Sequence, residues 1–261
     1  MKPFSITFFV CAATAVVSLA FFSFATVSCS SPLTQEIKFM TYNVRSAKGM
    51  DNVRDCQRVA DVIKKYAPDV LAVQELDSMT NRSGNKYILG ELAQLTNMHA
   101  EYFPAIEFDG GKYGIGILSV EKPLKVKGYQ LPGREEERAL LVAEFQNFVF
   151  ACSHLSLTEK DRLASLAIIE SIAKQSTKPF YFAGDLNDVP GSEFLNKLQE
   201  NFKILNDLSA QTFPSPEPDR TLDYITLYNP SKCKIISTQV PQEPMASDHR
   251  PVVVVVLSHS F

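Results

Sequence analysis

A chain of 261 residues, 45% hydrophobic and 21% charged, has enough apolar material for one large packed core or two small ones. Its 26 basic and 29 acidic side chains give a formal charge of −3 and no broad basic face, which argues against gripping long nucleic acid through many phosphate contacts. Five widely spaced cysteines without a Cys-x-x-Cys pair indicate neither a disulfide framework nor a thiolate metal cluster, and with no tryptophan the usual interfacial membrane anchor is missing.

The first thirty residues differ from the rest. No side chain from Phe4 to Val27 is charged, Lys2 precedes the run, and small residues lead into Cys29. This pattern predicts an export signal over residues 1–28 of the bacterial lipoprotein type, cut before Cys29, whose thiol becomes acylated. Ordinary secretory cleavage and an uncleaved anchor are the alternatives, because Thr26 stands where leucine is more usual. All three place the folded part outside the cytoplasm, the first as a lipid-anchored protein of the cell envelope. Losing Lys2 leaves 25 of the 26 basic side chains against 29 acidic ones, so the exported part stays acidic. Residues 29–35 read as a tether.

Beyond the tether, strand-like and helix-like segments mix. Glu36 to Val44 reads as a strand, and Asn52 to Tyr66 as a helix with Cys56, Val59, Ala60, Ile63 and Ala67 on one face. Val70 to Gln74 is a short apolar run, the mark of a strand buried on both sides. Ile88 to Thr96 suits a helix, and Tyr113 to Val120, Arg138 to Glu144 and Phe148 to His154 suit strands. Glu159 to Lys174 is a helix burying Leu163, Leu166 and Ile172, and Phe180 to Ala183 is another short apolar strand. Pro190-Gly191 opens a helix to about Glu200, since proline suits a first turn. Residues 211–220, with Pro214, Pro216 and Pro218, form a loop. Leu222 to Leu227, Cys233 to Gln239 and Pro251 to Ser258 close the chain as strands. Strands outnumber helices and no half is of one kind, which predicts a single layered α/β domain over 36–261.

Polar residues at the ends of apolar strands carry the functional signal, because such a strand has no structural use for a carboxylate at its end. The places are Tyr42-Asn43-Val44, Gln74-Glu75, Ser153-His154, Gly184-Asp185-Leu186-Asn187, Leu222-Asp223-Tyr224 and Ser247-Asp248-His249. Each alone has a plain explanation: Asn43 as a turn cap, Glu75 as an exposed strand end, His154 as a core histidine, Asp248-His249 as a surface pair. Together they offer oxygen ligands for a hard cation along with acid–base groups.

These six blocks, in this order and at these intervals, resemble the endonuclease/exonuclease/phosphatase superfamily, and the likeness covers about Glu36 to Leu257. The resemblance implies an α/β (α+β) four-layer sandwich, two packed, mostly antiparallel β-sheets flanked by helices. It also implies hydrolysis of phosphodiester or phosphomonoester bonds by water with Mg²⁺, or Mn²⁺, as cofactor. Carried onto this sequence, Glu75 would be the principal metal ligand with Asn43 beside it, and Asp248 would approach the metal or its water. Asp185 would orient or activate the attacking water, and Asn187 would bond the phosphoryl oxygens. His249, oriented by Asp223, and His154 would bind phosphate and manage protons, with base and acid not divided among them. Tyr113 and Arg138 fall where the family binds substrate. One departure is Ile115, where many members have asparagine.

The cation neutralises phosphate charge and polarises phosphorus, and the lack of a tight His/Cys cluster argues against zinc. The alternatives are an extracellular nuclease and a binding protein that keeps the fold without catalysis. A monomer acting on a small or lipid-type phosphoester is favoured, with nucleic acid as the other substrate class. The leader carries its own test. Labelled palmitate is expected in the wild type and not in Cys29→Ser; equal label in both proteins defeats the acylation assignment.

Overall fold

The computed structural model describes residues 1, 3–4, 34–229, 231 and 233–259. Contacts divide the chain into Met1–Ser31 and Pro32–Phe261. Almost all of the expected signal, Cys29 and the tether up to residue 33 lie outside the described residues.

In chain order the elements are β1 (Thr34–Asn43), α1 (Cys56–Tyr66), β2 (Val70–Ser78), α2 (Ile88–Thr96), β3 (His99–Phe108), β4 (Gly111–Ser119), β5 (Lys125–Leu131) and β6 (Arg138–Glu144). They continue with β7 (Val149–His154), α3 (Glu159–Lys174), β8 (Phe180–Asp185), α4 (Glu193–Asn201), β9 (Phe202–Ile204), β10 (Asp223–Tyr228), β11 (Cys233–Gln239) and β12 (Val252–His259). Two six-stranded sheets result, ordered β11-β12-β1-β2-β4-β3 and β5-β6-β7-β8-β10-β9. Each holds one parallel pair, β1 with β2 and β7 with β8, and every other pairing is antiparallel. A parallel pair needs a crossover, which α1 and α3 supply.

The alternation of side chains explains the layers. In β2, Val70 and Ala72 face the opposite sheet, while Leu71 and Val73 face α1 and α2. In β8, Tyr181 and Ala183 point inward, and Phe180 and Phe182 pack under α3 and α4. Phe39 sits at the centre of the seam, stacked on Phe150 at 5.2 Å and tilted against Tyr181 at 4.4 Å. Burying such a ring contributes roughly 1.5–3 kcal/mol relative to leaving it in water. The expected four-layer sandwich is thus present, helices outside and two sheets within.

Local chemistry moves some expected boundaries. The first helix begins at Cys56, four residues after Asn52, because the Asp55 carboxylate caps the Arg58 N–H. Ala67 takes a left-handed conformation that ends this helix and lies beyond its buried face. Pro190-Gly191 precedes the fourth helix: Gly191 has φ 90° and Ser192 caps the Leu195 N–H. Strands β3, β5 and β9 had no apolar signature. All three lie at sheet edges, where polar residues and Pro104 are tolerated.

Gly184 lies opposite Ser153 in the β7–β8 ladder, one residue before Asp185. A Cβ there would overlap the Ser153 carbonyl oxygen. Gly184→Ala is therefore expected to destabilise the domain by about 1–3 kcal/mol or more, read from urea unfolding. A midpoint equal to wild type would contradict this packing.

Candidate active site

The carboxyl ends of both parallel pairs meet at one end of the sandwich. Asn43 closes β1 beside Gln74 of β2, and His154 closes β7 beside Asp185 of β8. Asp223 opens β10 directly opposite Asp185. Ser247, Asp248 and His249 arrive on the loop before β12, fixed by the Ser247 hydroxyl donating to the Asn43 carbonyl at 2.7 Å.

Glu75 is placed by a bulge. The β2–β4 register shifts between Val73 and Leu76, and Glu75 adopts φ 58°. A left-handed glutamate costs about 1–3 kcal/mol, so the surrounding sheet holds it there against its preference. The Asn43 amide nitrogen then donates to Glu75 Oε1 at 2.9 Å and to Asp185 Oδ2 at 3.0 Å, joining carboxylates from different sheets. The Asn43 oxygen accepts from the Arg45 N–H at 3.1 Å.

Asp185 is the hub. Both His154 Nε2 and His249 Nε2 stand 3.6 Å from its Oδ2, and the Asn187 N–H donates to its Oδ1 at 3.0 Å. Burial raises its carboxyl pKa, as does Asp223, while the two imidazoles work the other way. His249 Nδ1 meets Asp223 Oδ2 at 2.9 Å. Burial disfavours its charge, but Asp223 and Asp185 outweigh that and push its pKa up to about 10. His154 goes the other way, to about 4, because burial dominates and Arg138 and His249 reinforce it against Asp185. Near pH 7 the site holds one imidazolium and one neutral imidazole.

The cleft in front of these groups encloses about 510 Å³. Of the residues singled out from the sequence, Glu75, Tyr113, Arg138, His154, Asp185, Asn187, Asp248 and His249 line it. Asn43 and Asp223 stand just behind, fully buried, and Cys29 is outside the described residues. Sequence reading passed over Glu135, Glu136, Leu157, Phe213 and Arg220, which also line it, as does Leu222 of the Leu222-Asp223-Tyr224 block. It also passed over Arg45, whose Nε lies 3.2 Å from Asp248 Oδ2. Arg45 directly follows the Tyr42-Asn43-Val44 block, and Glu135-Glu136 stand just before Arg138, so proximity to a marked residue was the available signal. Phe213 gave none. Its loop is tied to the His249 segment by Ser215 N–H to Asp248 O and Arg250 N–H to Thr212 O, both at 2.7 Å. This brings the Phe213 ring 4.8 Å from that of His249.

Two sets of side chains could hold a divalent cation. Asp185, Asp223 and His249 bring ligand atoms within 4.8 Å of one another. Both nitrogens of that imidazole already face carboxylates, and a charged ring repels a cation. Glu75 is half-exposed at the cleft wall, with Asp248 also lining the cleft, and these oxygens suit a hard ion better. Asp223 Oδ1 is buried with no hydrogen-bond partner, so the site has acceptor capacity to spare.

Asp223→Asn removes the charge that holds the His249 proton. Turnover is expected to fall roughly 10²-fold, the scale of acid–base assistance. His249 contributes stability below its ordinary value of 6.5, lost as pH rises through about 10. The variant should therefore lose the charged ring at lower pH, moving the alkaline limb of the rate profile down. Wild-type turnover with an unmoved profile, in a folded variant, would leave Asp223 as a turn residue only.

The Endonuclease/Exonuclease/phosphatase family model matches residues 40–249, spanning every one of the blocks above. Among solved structures, an endonuclease/exonuclease/phosphatase from Beutenbergia cavernae superposes with TM-score 0.69 at 22% identity, over 86% of this chain and 72% of its own. One from Bacteroides vulgatus gives 0.71 at 16%, over 86% and 100%. The mannosyl-6-phosphatase of Bacteroides thetaiotaomicron gives 0.67 at 15%, over 84% and 99%. At these identities the superpositions speak for the fold, and the match over 40–249 decides the relationship: this chain belongs to the endonuclease/exonuclease/phosphatase family.

Proposed function

We propose that the domain hydrolyses phosphoesters with a divalent cation, Mg²⁺ or Mn²⁺. The observation that carries this reading is Asp185, set between two imidazoles and tied through Asn43 to the Glu75 carboxylate. Family membership supports it, since the match spans Glu75, Asp185, Asn187, Asp248 and His249.

Glu75 and Asp248 would hold the cation, with Asn43 steadying Glu75; when bound, the cation neutralises phosphoryl charge and polarises phosphorus. The chain's own groups do the rest. Asp185, its proton affinity raised by burial, is suited to orient a water and take its proton. The His249 imidazolium offers Nε2–H to a phosphoryl oxygen, which is stabilisation aimed at charge that grows in the transition state. Asn187 is held by its amide donating to the Leu155 carbonyl at 2.8 Å, with its second amide proton left for the substrate. Neutral His154, with Nε2 facing Asp185, can take on the proton that Asp185 removes from water and release one to the leaving alcohol, ending neutral again.

Small phosphoesters fit the acidic chain better than long nucleic acid, and one solved relative is a mannosyl-6-phosphatase. The purified protein is expected to be silent in EDTA and restored by Mg²⁺ or Mn²⁺. Glu75→Gln, which keeps shape and removes charge, should lower turnover by at least about 10²-fold without unfolding the domain. Full activity in chelator would overturn the metal assignment, and duplex DNA cleaved faster than every small ester would favour the nuclease reading.

A further inference from the structure

The cleft walls have an unusual charge arrangement. Glu75, Glu135, Glu136, Asp185 and Asp248 line it, no lysine does among the described residues, and both lining arginines are already paired with acids. Arg138 is held on two sides, Nη1 by Glu136 Oε1 at 2.8 Å and Nη2 by Glu135 Oε1 at 3.2 Å. Arg220 meets Asp219 through Nε at 2.6 Å and Nη2 at 3.1 Å. A guanidinium between two carboxylates carries a local charge of the acidic sign, so it offers no landing place for a second phosphate.

The two glutamates differ in kind. Glu135 is a structural tie, accepting from the Leu157 N–H at 2.6 Å and the Ser156 hydroxyl at 2.9 Å, which sew the β5–β6 loop to the start of α3. Glu136 makes its ion pair with Arg138 alone and has a side chain 30% exposed. Arg138 turns one proton of each Nη to these glutamates and has a second on each, while its Nε–H is sealed away from the cleft. A carboxylate that accepts beside a guanidinium that donates matches a pair of neighbouring hydroxyls, each of which donates and accepts. Aromatic stacking has little to offer here. Arg82 lies 5.4 Å from the Tyr113 ring, and His249 and Arg220 crowd that of Phe213 at 4.8 and 5.5 Å. Nucleobases, which bind single-strand sites by stacking on open rings, find these rings occupied.

We propose that Glu136 and Arg138 form a hydroxyl-reading pair that selects monoesters with one phosphoryl group on an uncharged, polyhydroxylated alcohol. The inference rests on the hydrolase reading and deepens it by naming the substrate class. The scissile phosphoryl meets His249 and the cation ligands, and the sugar-like portion lies along Glu136 and Arg138. A further phosphate on that portion meets carboxylates.

The test compares glucose 6-phosphate, glucose 1,6-bisphosphate, p-nitrophenyl phosphate and a single-stranded oligonucleotide with the Mg²⁺-supplied protein. Glucose 6-phosphate should exceed the bisphosphate and the oligonucleotide in kcat/KM by at least about 10-fold. In Glu136→Gln, KM for glucose 6-phosphate should rise by about 10-fold and that for the bisphosphate should fall, because one repelling charge is gone. A wild type that cleaves p-nitrophenyl phosphate but does not favour the hexose monophosphate overturns this inference and spares the hydrolase. Silence on every ester with Mg²⁺ and Mn²⁺ overturns both. A folded Glu136→Gln with an unmoved ratio removes Glu136 from the role. If the variant does not fold, the wild-type ratio alone decides the substrate class.

Discussion

One amide group joins the two halves of the site. The Asn43 nitrogen donates to Glu75 on the first sheet and to Asp185 on the second, so the distance between these two carboxylates is set by a single side chain. Two anions so near each other repel, and the shared donor offsets part of that repulsion. The two sheets that carry these residues are packed together around Phe39, Phe150 and Tyr181. Packing at the centre of the sandwich thus becomes accuracy at its end.

Strain gathers around the same point. Arg45, Ser46 and Ala47 follow Asn43 in three successive left-handed conformations, with φ of 48°, 50° and 56°. Glu75 and Asn187 are left-handed as well, at 58° and 52°. None is glycine, and each costs energy that the packed sheets must supply. The result is a set of side chains aimed where relaxed backbone would not aim them: Glu75 at the cleft, Arg45 at Asp248, Asn187 beside Asp185.

Much of this was legible in the sequence, for a definite reason. Strands such as β2 and β8 are buried on both faces, so their apolar runs are unbroken and a terminal Glu75 or Asp185 stands out. The same logic fails at the edges, where β3 and β5 mix lysine, glutamate and glycine among apolar residues and look like loop. Helix starts were misjudged where a cap decides, at Asp55 and Ser192, because capping depends on backbone angles that composition does not reveal. The aim of Glu75 was equally hidden, since a bulge needs two strands to exist. Phe213 comes to the cleft through tertiary ties that have no local signature, whereas Arg45 and Glu136 were marked only by standing near Asn43 and Arg138 in the chain.

The order of strands in the first sheet bears on how the molecule comes into being. β1 lies between β2 and β12, pairing from Thr34 with His259 to Thr41 with Val252. Asn43, at the end of β1, is fastened by Ser247 from the loop that enters β12. A chain emerging in sequence therefore presents β1 with one edge unmatched until its last described strand is available. Such long-range pairing makes assembly slow and leaves an adhesive edge open meanwhile. Catalytic geometry is consequently a late property: nothing short of the full length of the domain brings Asn43, Asp185 and His249 together.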